Sequence, residues 1–118
     1  MEYKLGNVCH IEIAGGNLAA TKAFYGQVFG WKFSPMSDSY EFFDAGNLQG
    51  AIDADGRPSH DGTVLVLACD DVAAKLAEVE AAGGKTLKPK TEIDGGHGWY
   101  GYVADPAGNR MGVWQPPA

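Results

Sequence analysis

The sequence has no long apolar run, and no stretch approaches the roughly 18 consecutive apolar residues that a membrane-spanning helix needs. Its first residues also lack the basic-then-apolar pattern of a secretory signal. These two absences predict a cytoplasmic protein with no membrane partner.

Cysteine and basic residues are scarce as well. The two cysteines, Cys9 and Cys69, each lie in an apolar segment, so we expect two buried free thiols instead of a disulfide or a metal site. Nine Lys and Arg against fifteen Asp and Glu give a net charge of −6, and no basic stripe is visible. We therefore expect no nucleic-acid partner.

What the sequence does contain is an internal repeat. Each half reads as an apolar strand, an amphipathic helix that ends at glycine, and three short strands. The first copy covers residues 7–53, a polar linker covers 54–62, and the second copy covers 63–116, all within a single domain of residues 1–118. The predicted fold is α+β, with two tandem βαβββ modules that form a cupped mixed β-sheet of about eight strands and helices on its outer face.

The repeat can be divided into elements by hydrophobic periodicity and by turn residues. The predicted helices cover 18–29, with Ala20, Phe24 and Val28 in the buried stripe, and 72–82. Pro89 is predicted to end a short strand, because proline has no N–H to donate to a sheet. The predicted strands are 8–13, 31–33, 40–43, 48–52, 64–69, 86–87, 99–104 and 110–115.

Four segments, taken in order, carry a resemblance that covers nearly the whole chain. They are the first strand with His10, the helix exit at Phe29-Gly30-Trp31, the second helix exit at Ala81-Ala82-Gly83-Gly84, and the turn Asp105-Pro106-Ala107-Gly108-Asn109. With these, the chain resembles the vicinal oxygen chelate superfamily, which includes glyoxalase I, extradiol dioxygenases and bleomycin-resistance proteins. The resemblance implies a cup built from two βαβββ modules, and it leaves the function open.

The resemblance also implies four metal ligands on the strands that face the cup, two from each module. His10 matches the first ligand position, and Gln49 lies near the second. Val64 stands at the counterpart of His10, and Gly112 stands where the family has a glutamate, so two ligands are lost. We therefore expect no cofactor; a divalent metal, if present, would be held by His10 and Gln49.

His10 and Glu12 lie on the polar face of the first strand, because side chains alternate along a strand. They are the candidate acid–base pair. The predicted ligand-binding residues are His10, Gln49, Trp99, Tyr102, Trp114 and Arg110. Ordinary sheet packing is the alternative for the aromatic residues, and an exposed strand-end arginine is the alternative for Arg110.

Trp114 is two residues after Gly112 and so lies on the same face of the predicted strand. It is the preferred cup residue, and we expect Gly112 to make room for a ligand or for the indole. His97 lies in a glycine-rich stretch that suits either a lid or a hairpin turn. His60 and Asp61 are interpreted as a solvated pair in the linker.

The favoured function is a homodimeric, small-molecule-binding protein that holds an apolar or aromatic ligand in the cup without the usual metal. The alternative is a lyase, isomerase or dioxygenase. It would use either an atypical metal held by His10 and Gln49 or acid–base chemistry by His10 and Glu12. A dimer that only scaffolds a partner is a third possibility.

Overall fold

A computed structural model describes residue 5 and residues 10–59 and 62–118. Val8, Cys9, His60 and Asp61, for which predictions were made above, lie outside these residues. None of the helices in the described ranges is long and apolar enough to cross a membrane.

The described elements follow the predicted order of strand, helix and three strands, twice. The first module consists of β1 (Ile11–Ala14), α1 (Leu18–Phe29), β2 (Lys32–Pro35), β3 (Tyr40–Asp44) and β4 (Gln49–Asp53). The second consists of β5 (Leu65–Ala68), α2 (Val72–Ala81), β6 (Lys85–Glu92), β7 (Trp99–Ala104) and β8 (Arg110–Gln115). The α+β class and the two βαβββ modules are therefore confirmed.

The eight strands form two four-stranded sheets instead of one continuous sheet. The first sheet has the order β1-β4-β3-β2 and the second has the order β5-β8-β7-β6. In each sheet one pair is parallel, β1 with β4 and β5 with β8, and the other neighbours are antiparallel. The parallel pair places the first strand of each module at one edge of its sheet, next to the last strand of that module.

Strand β6 is the largest difference from the predicted elements. It covers Lys85–Glu92 and passes through Pro89, where the sequence predicts the end of a short strand. Proline is tolerated because β6 is an edge strand, whose outer backbone groups have no sheet partner. The pairing with β7 shifts register between Thr86 and Lys88 and again between Lys88 and Thr91.

Helix α1 begins and ends as the sequence predicts. The Asn17 side chain accepts a hydrogen bond from the backbone N–H of Ala20, and Gly30 ends the helix in the left-handed conformation with φ 72°. The buried stripe differs at one position, since Ala20 is exposed and Thr21 is buried. Thr21 tolerates burial because its hydroxyl donates to the carbonyl of Gly15 at 2.7 Å.

One core is shared by both modules. Phe24, Val28 and Phe43 of the first module belong to the same buried cluster as Val72 and Val103 of the second. The Trp31 ring stacks between Tyr25 and Phe43, with ring centroids 4.5 and 4.4 Å away. The modules are thus parts of one hydrophobic unit, which holds the two sheets in a fixed relation.

Candidate functional site

A polar network of three side chains lies on the first sheet. The Nε2 atom of His10 is 3.1 Å from the hydroxyl oxygen of Tyr40, and that hydroxyl donates to Glu12 Oε2 at 2.7 Å. Glu12 lies in β1 and Tyr40 in β3, and the β4 register places both on the same face. The two predicted acid–base residues are therefore joined through a third residue.

The hydrogen bonds of this network determine where its protons lie. A phenol has one O–H, and that of Tyr40 is donated to Glu12. The Tyr40 oxygen can therefore only accept from His10, so Nε2 of His10 carries a proton. A neutral His10 ring then has its lone pair on Nδ1, which is the atom able to accept a proton or a hydrogen bond from a ligand.

The hydrogen bond to Glu12 raises the pKa of Tyr40 to about 12, and burial and the negative charges of Glu12 and Asp53 act in the same direction. The phenol therefore stays protonated through the neutral range and remains a donor. Sequence reasoning missed Tyr40, which lies 28 residues from Glu12. Alternation along the predicted strand puts Tyr40 on the face of Phe42, but only the pairing of β1 and β3 with β4 shows that Glu12 shares this face.

A cavity of about 490 Å³ lies beside this network, and we call it the first-sheet cavity. His10 and Gln49 both line it, because the parallel pairing of Ile11 with Gly50 sets the preceding residues side by side. Phe42, which is 39% exposed, gives it an apolar wall. Lys32 and Ser34 supply polar groups on the same side.

The corresponding face of the second sheet carries aromatic rings and cations. The Arg110 guanidinium lies 4.4 Å from the Tyr102 ring centroid, and Tyr102 packs edge-on against Tyr100 at 5.6 Å. Gly112 is paired with Tyr102 of β7 on one side and with Val66 of β5 on the other. A Cβ there would be 3.1 Å from Val66 and 3.4 Å from Tyr102. The nearest side chains to that position are thus Val66 and Tyr102 and not the indole of Trp114, and room for a ligand at Gly112 stays a prediction.

The predicted tryptophans lie on opposite faces of the second sheet. Trp99 packs against the hydrophobic core. Trp114 is on the face of Gly112, where its Nε1–H donates to the His97 carbonyl at 2.9 Å. His97 itself lies in the turn that joins β6 to β7, where Gly95, Gly96 and Gly98 have positive φ angles, in agreement with the hairpin interpretation.

The predicted ligand-binding residues do not line one cavity within a single chain. His10 and Gln49 line the first-sheet cavity, whereas Trp114 lines a different cavity of about 490 Å³ against α2. Arg110 and Glu12 line a third cavity, of about 210 Å³, between the two sheets. Ligand binding by each of these residues stays a prediction, as does the homodimer.

Cys69 is a free thiol, as the sequence predicts, but it is only half-buried. It follows the end of β5 and lines the cavity that contains Trp114. Burial raises the pKa of the thiol, and the negative charges of Asp70 and Asp71 raise it further. A hydrogen bond from the Asp71 backbone and the positive charge of Lys75 lower it, but the pKa remains above its usual value. The side chain is therefore protonated at neutral pH, which makes a nucleophilic role unfavourable.

The side chains present do not fit the four-ligand metal centre that the resemblance implies. Across residues 10–59 and 62–118, no three His, Cys, Asp or Glu side chains come together as an ion would require. Val64 and Gly112 offer no donor, and Nε2 of His10 is engaged by Tyr40.

Comparisons with known proteins agree with this architecture. The mycobacterial proteins named "Putative glyoxylase CFP32", from Mycobacterium bovis and Mycobacterium tuberculosis, are each 27% identical over 124 aligned positions. The alignment covers 97% of this chain and 47% of theirs, so the chain spans about half the length of these relatives.

Solved structures show the same fold. A glyoxalase-related enzyme from Fulvimarina pelagi has a TM-score of 0.79 at 27% identity, covering 94% of this chain and 88% of that one. The second is the E126Q mutant of the fosfomycin resistance protein FosX from Listeria monocytogenes, complexed with Mn(II). Its TM-score is 0.80 at 19% identity, and the match covers 96% of this chain and 92% of that one. At that identity the likeness to FosX concerns the fold alone.

The sequence profile of one family matches residues 7–113, which is most of both modules. The match includes all four segments that carry the resemblance, from the strand with His10 to the turn before β8. The chain therefore belongs to the glyoxalase/bleomycin resistance protein/dioxygenase superfamily.

Proposed function

We propose that this protein binds a small aromatic or apolar ligand with a polar group, on the polar face of its first sheet and without the family's usual metal. The observation that carries the proposal is the His10–Tyr40–Glu12 network at the wall of the first-sheet cavity. Phe42 offers apolar surface to the ligand, and His10 offers a hydrogen-bonding atom whose direction is set by Tyr40.

The size and chemistry of the cavity support a small ligand. At about 490 Å³ it lies within the roughly 300–1,000 Å³ of small-molecule pockets. Its lining combines Phe42 and Phe43 with the amide of Gln49, the ammonium group of Lys32 and the carboxylate of Asp44. A ligand with a flat apolar body and an acceptor or anionic group would match these partners.

Fluorescence of 8-anilinonaphthalene-1-sulfonate tests this proposal, because the dye combines an aromatic body with an anionic group. We expect Phe42→Ala to weaken dye binding by about tenfold, which is a loss of about 1.4 kcal/mol in binding free energy and is typical of removing an aromatic side chain that contacts the ligand. Leu87→Ala is the matched control, since Leu87 is 42% exposed but lies in the edge strand β6 of the second sheet. Its affinity for the dye should equal that of the wild type.

Two results would count against this assignment. One is a loss of dye binding in Leu87→Ala equal to that in Phe42→Ala, which would mean nonspecific adsorption to exposed apolar side chains. The other is a loss in Trp114→Ala with no change in Phe42→Ala. That result would move the site to the cavity beside α2, which Trp114 lines.

An enzymatic function is a second candidate, and the proton arrangement of the network favours it. With Nε2 protonated, Nδ1 of His10 can act as a general base, and Glu12 can stabilise the resulting charge through Tyr40. Incubating the protein with a metabolite extract in the presence of chelator, followed by mass spectrometry, separates the two candidates. With liquid chromatography before the mass spectrometer, a mass change (lyase) or a new peak of unchanged mass (isomerase) that is lost in His10→Ala would support an enzyme, whereas unaltered masses and retention times would support the binding protein.

A further inference from the structure

The chain has two arginines, Arg57 in the linker and Arg110 at the start of β8, and both line the same cavity. This inter-sheet cavity has a volume of about 210 Å³ and is bounded by β1, the linker and β8. Arginine is the side chain best suited to carboxylates and phosphates, because its planar group presents several donors in a fixed fork. Two guanidinium groups at one small cavity are therefore a candidate anion site.

The fold holds the two arginines together through the backbone. The N–H of Arg110 donates to the Ser59 carbonyl at 2.9 Å, and the N–H of Ser59 donates to Asn109 Oδ1 at 3.0 Å. These bonds attach the linker to the beginning of β8. Arg57, two residues before Ser59, is thereby kept at the rim of the cavity that Arg110 lines.

Arg110 has a buried donor that the described residues leave unsatisfied. Its Nε atom has almost no exposed surface and no hydrogen-bond partner among them. The guanidinium is held over the Tyr102 ring, with 4.4 Å between Cζ and the ring centroid. A buried donor without a partner costs about 1–3 kcal/mol, and an oxyanion in the cavity would supply the missing acceptor once the guanidinium turns its Nε–H toward the cavity.

The charge of the cavity favours an anion. Its lining residues include two arginines and one acid, Glu12, which gives 2 − 1 = +1. Neither guanidinium forms an ion pair within residues 10–59 and 62–118, and the Glu12 carboxylate accepts from Tyr40. We propose that the inter-sheet cavity binds a small oxyanion, a carboxylate or a phosphate group, between Arg57 and Arg110. Its lining shares no residue with that of the first-sheet cavity, although Glu12 also belongs to the His10–Tyr40–Glu12 network.

Nuclear magnetic resonance of the arginine side chains tests the proposal, since only two Nε–H signals exist in this chain. Sodium phosphate and sodium malonate are titrated separately, each against sodium chloride at constant ionic strength. We expect both Nε–H signals to shift and saturate with at least one of the two anions. Saturation with malonate alone would identify a carboxylate site, and saturation with phosphate alone would identify a phosphate site.

Three variants make the result specific. Arg57→Gln, at an exposed linker position, should weaken the response of Arg110 about tenfold, the loss expected for one charge-assisted hydrogen bond. Glu12→Gln should strengthen anion binding as reported by Arg110, because the substitution removes the one acidic side chain of the cavity lining. Lys90→Gln removes a cation of β6 that lies over the Trp99 ring, outside the cavity lining, and it should leave the Arg110 response unchanged.

The proposal is overturned if neither Nε–H signal moves with phosphate or malonate beyond its response to chloride. An Arg110 response that is the same in wild type and Arg57→Gln would overturn it too, since the two arginines would then not share a ligand. Unaltered backbone amide spectra of each variant confirm that it is folded. Dye binding in the first-sheet cavity is measured on the same samples, so that failure of one site is distinguished from failure of the other.

Discussion

Replacing Asp105 with alanine is expected to destabilise the fold by roughly 3–6 kcal/mol. Asp105 is only 3% exposed, and its two carboxylate oxygens accept four hydrogen bonds. The donors are the hydroxyl of Tyr25, the backbone N–H groups of Ala107 and Asn109, and the Asn109 side-chain amide. Each buried donor left without a partner costs about 1–3 kcal/mol, and at least two of these donors are buried.

The effect should be large because Asp105 connects both modules. Its bond from Tyr25 links helix α1 to the turn between β7 and β8, and the Asn109 amide continues to the Ala14 carbonyl in β1. Burial raises the pKa of Tyr25 well above its usual value, and the Asp105 charge adds to this, so the phenol remains a donor.

Urea denaturation measures the change in the free energy of unfolding. Asp94→Ala, at an exposed position in a turn, should change stability by less than about 0.5 kcal/mol. Equal stability of the two variants would contradict this role of Asp105.

Replacing Gly50 with alanine should be almost as damaging, by roughly 3 kcal/mol or more. A Cβ at Gly50 would lie 2.1 Å from the Ile11 carbonyl oxygen and 2.5 Å from the Phe43 ring. Neither atom can move freely, since Ile11 is the parallel partner of Gly50 and Phe43 is buried against Trp31. The same pairing sets His10 beside Gln49, so the variant should lose dye binding together with stability.

Gly26→Ala is the matched control for that experiment. Gly26 lies in helix α1, and the nearest atoms to a Cβ there are 3.7 and 3.9 Å away, which is ordinary contact. Alanine is favoured over glycine in a helix by about 0.5–1 kcal/mol, so this variant should be more stable than the wild type. A Gly50→Ala protein with wild-type stability would show that the β1–β4 pairing described here is wrong.

Most of the fold could be predicted from local signals. The helix from Leu18 to Phe29 follows from its cap at Asn17, its stop at Gly30 and its apolar spacing. The length of β6 could not be predicted, because Pro89 reads as a strand end unless the strand is known to lie at a sheet edge. The division into two sheets depends on which strands pair, and residue patterns alone do not show it.

The site was predictable only where its residues are close in sequence. His10 and Glu12 share a face by alternation within one strand. Tyr40, which joins them, is 30 residues from His10 and reaches it only because β3 and β1 both pair with β4. Arg57 reads as a solvated linker residue, and it lies near Arg110 because Ser59 bonds to the Asn109 side chain, 50 residues away, and to the Arg110 backbone.

Metal analysis by inductively coupled plasma mass spectrometry, on protein purified without chelator, is the most direct test of the central claim. The claim is that this family member binds its ligand through the His10–Tyr40–Glu12 network and not through a bound metal. We expect well below one equivalent of zinc, nickel, manganese or iron per chain, because Val64 and Gly112 offer no ligand atoms. A full equivalent of any of these metals in the wild type, lost in His10→Ala, would contradict the account.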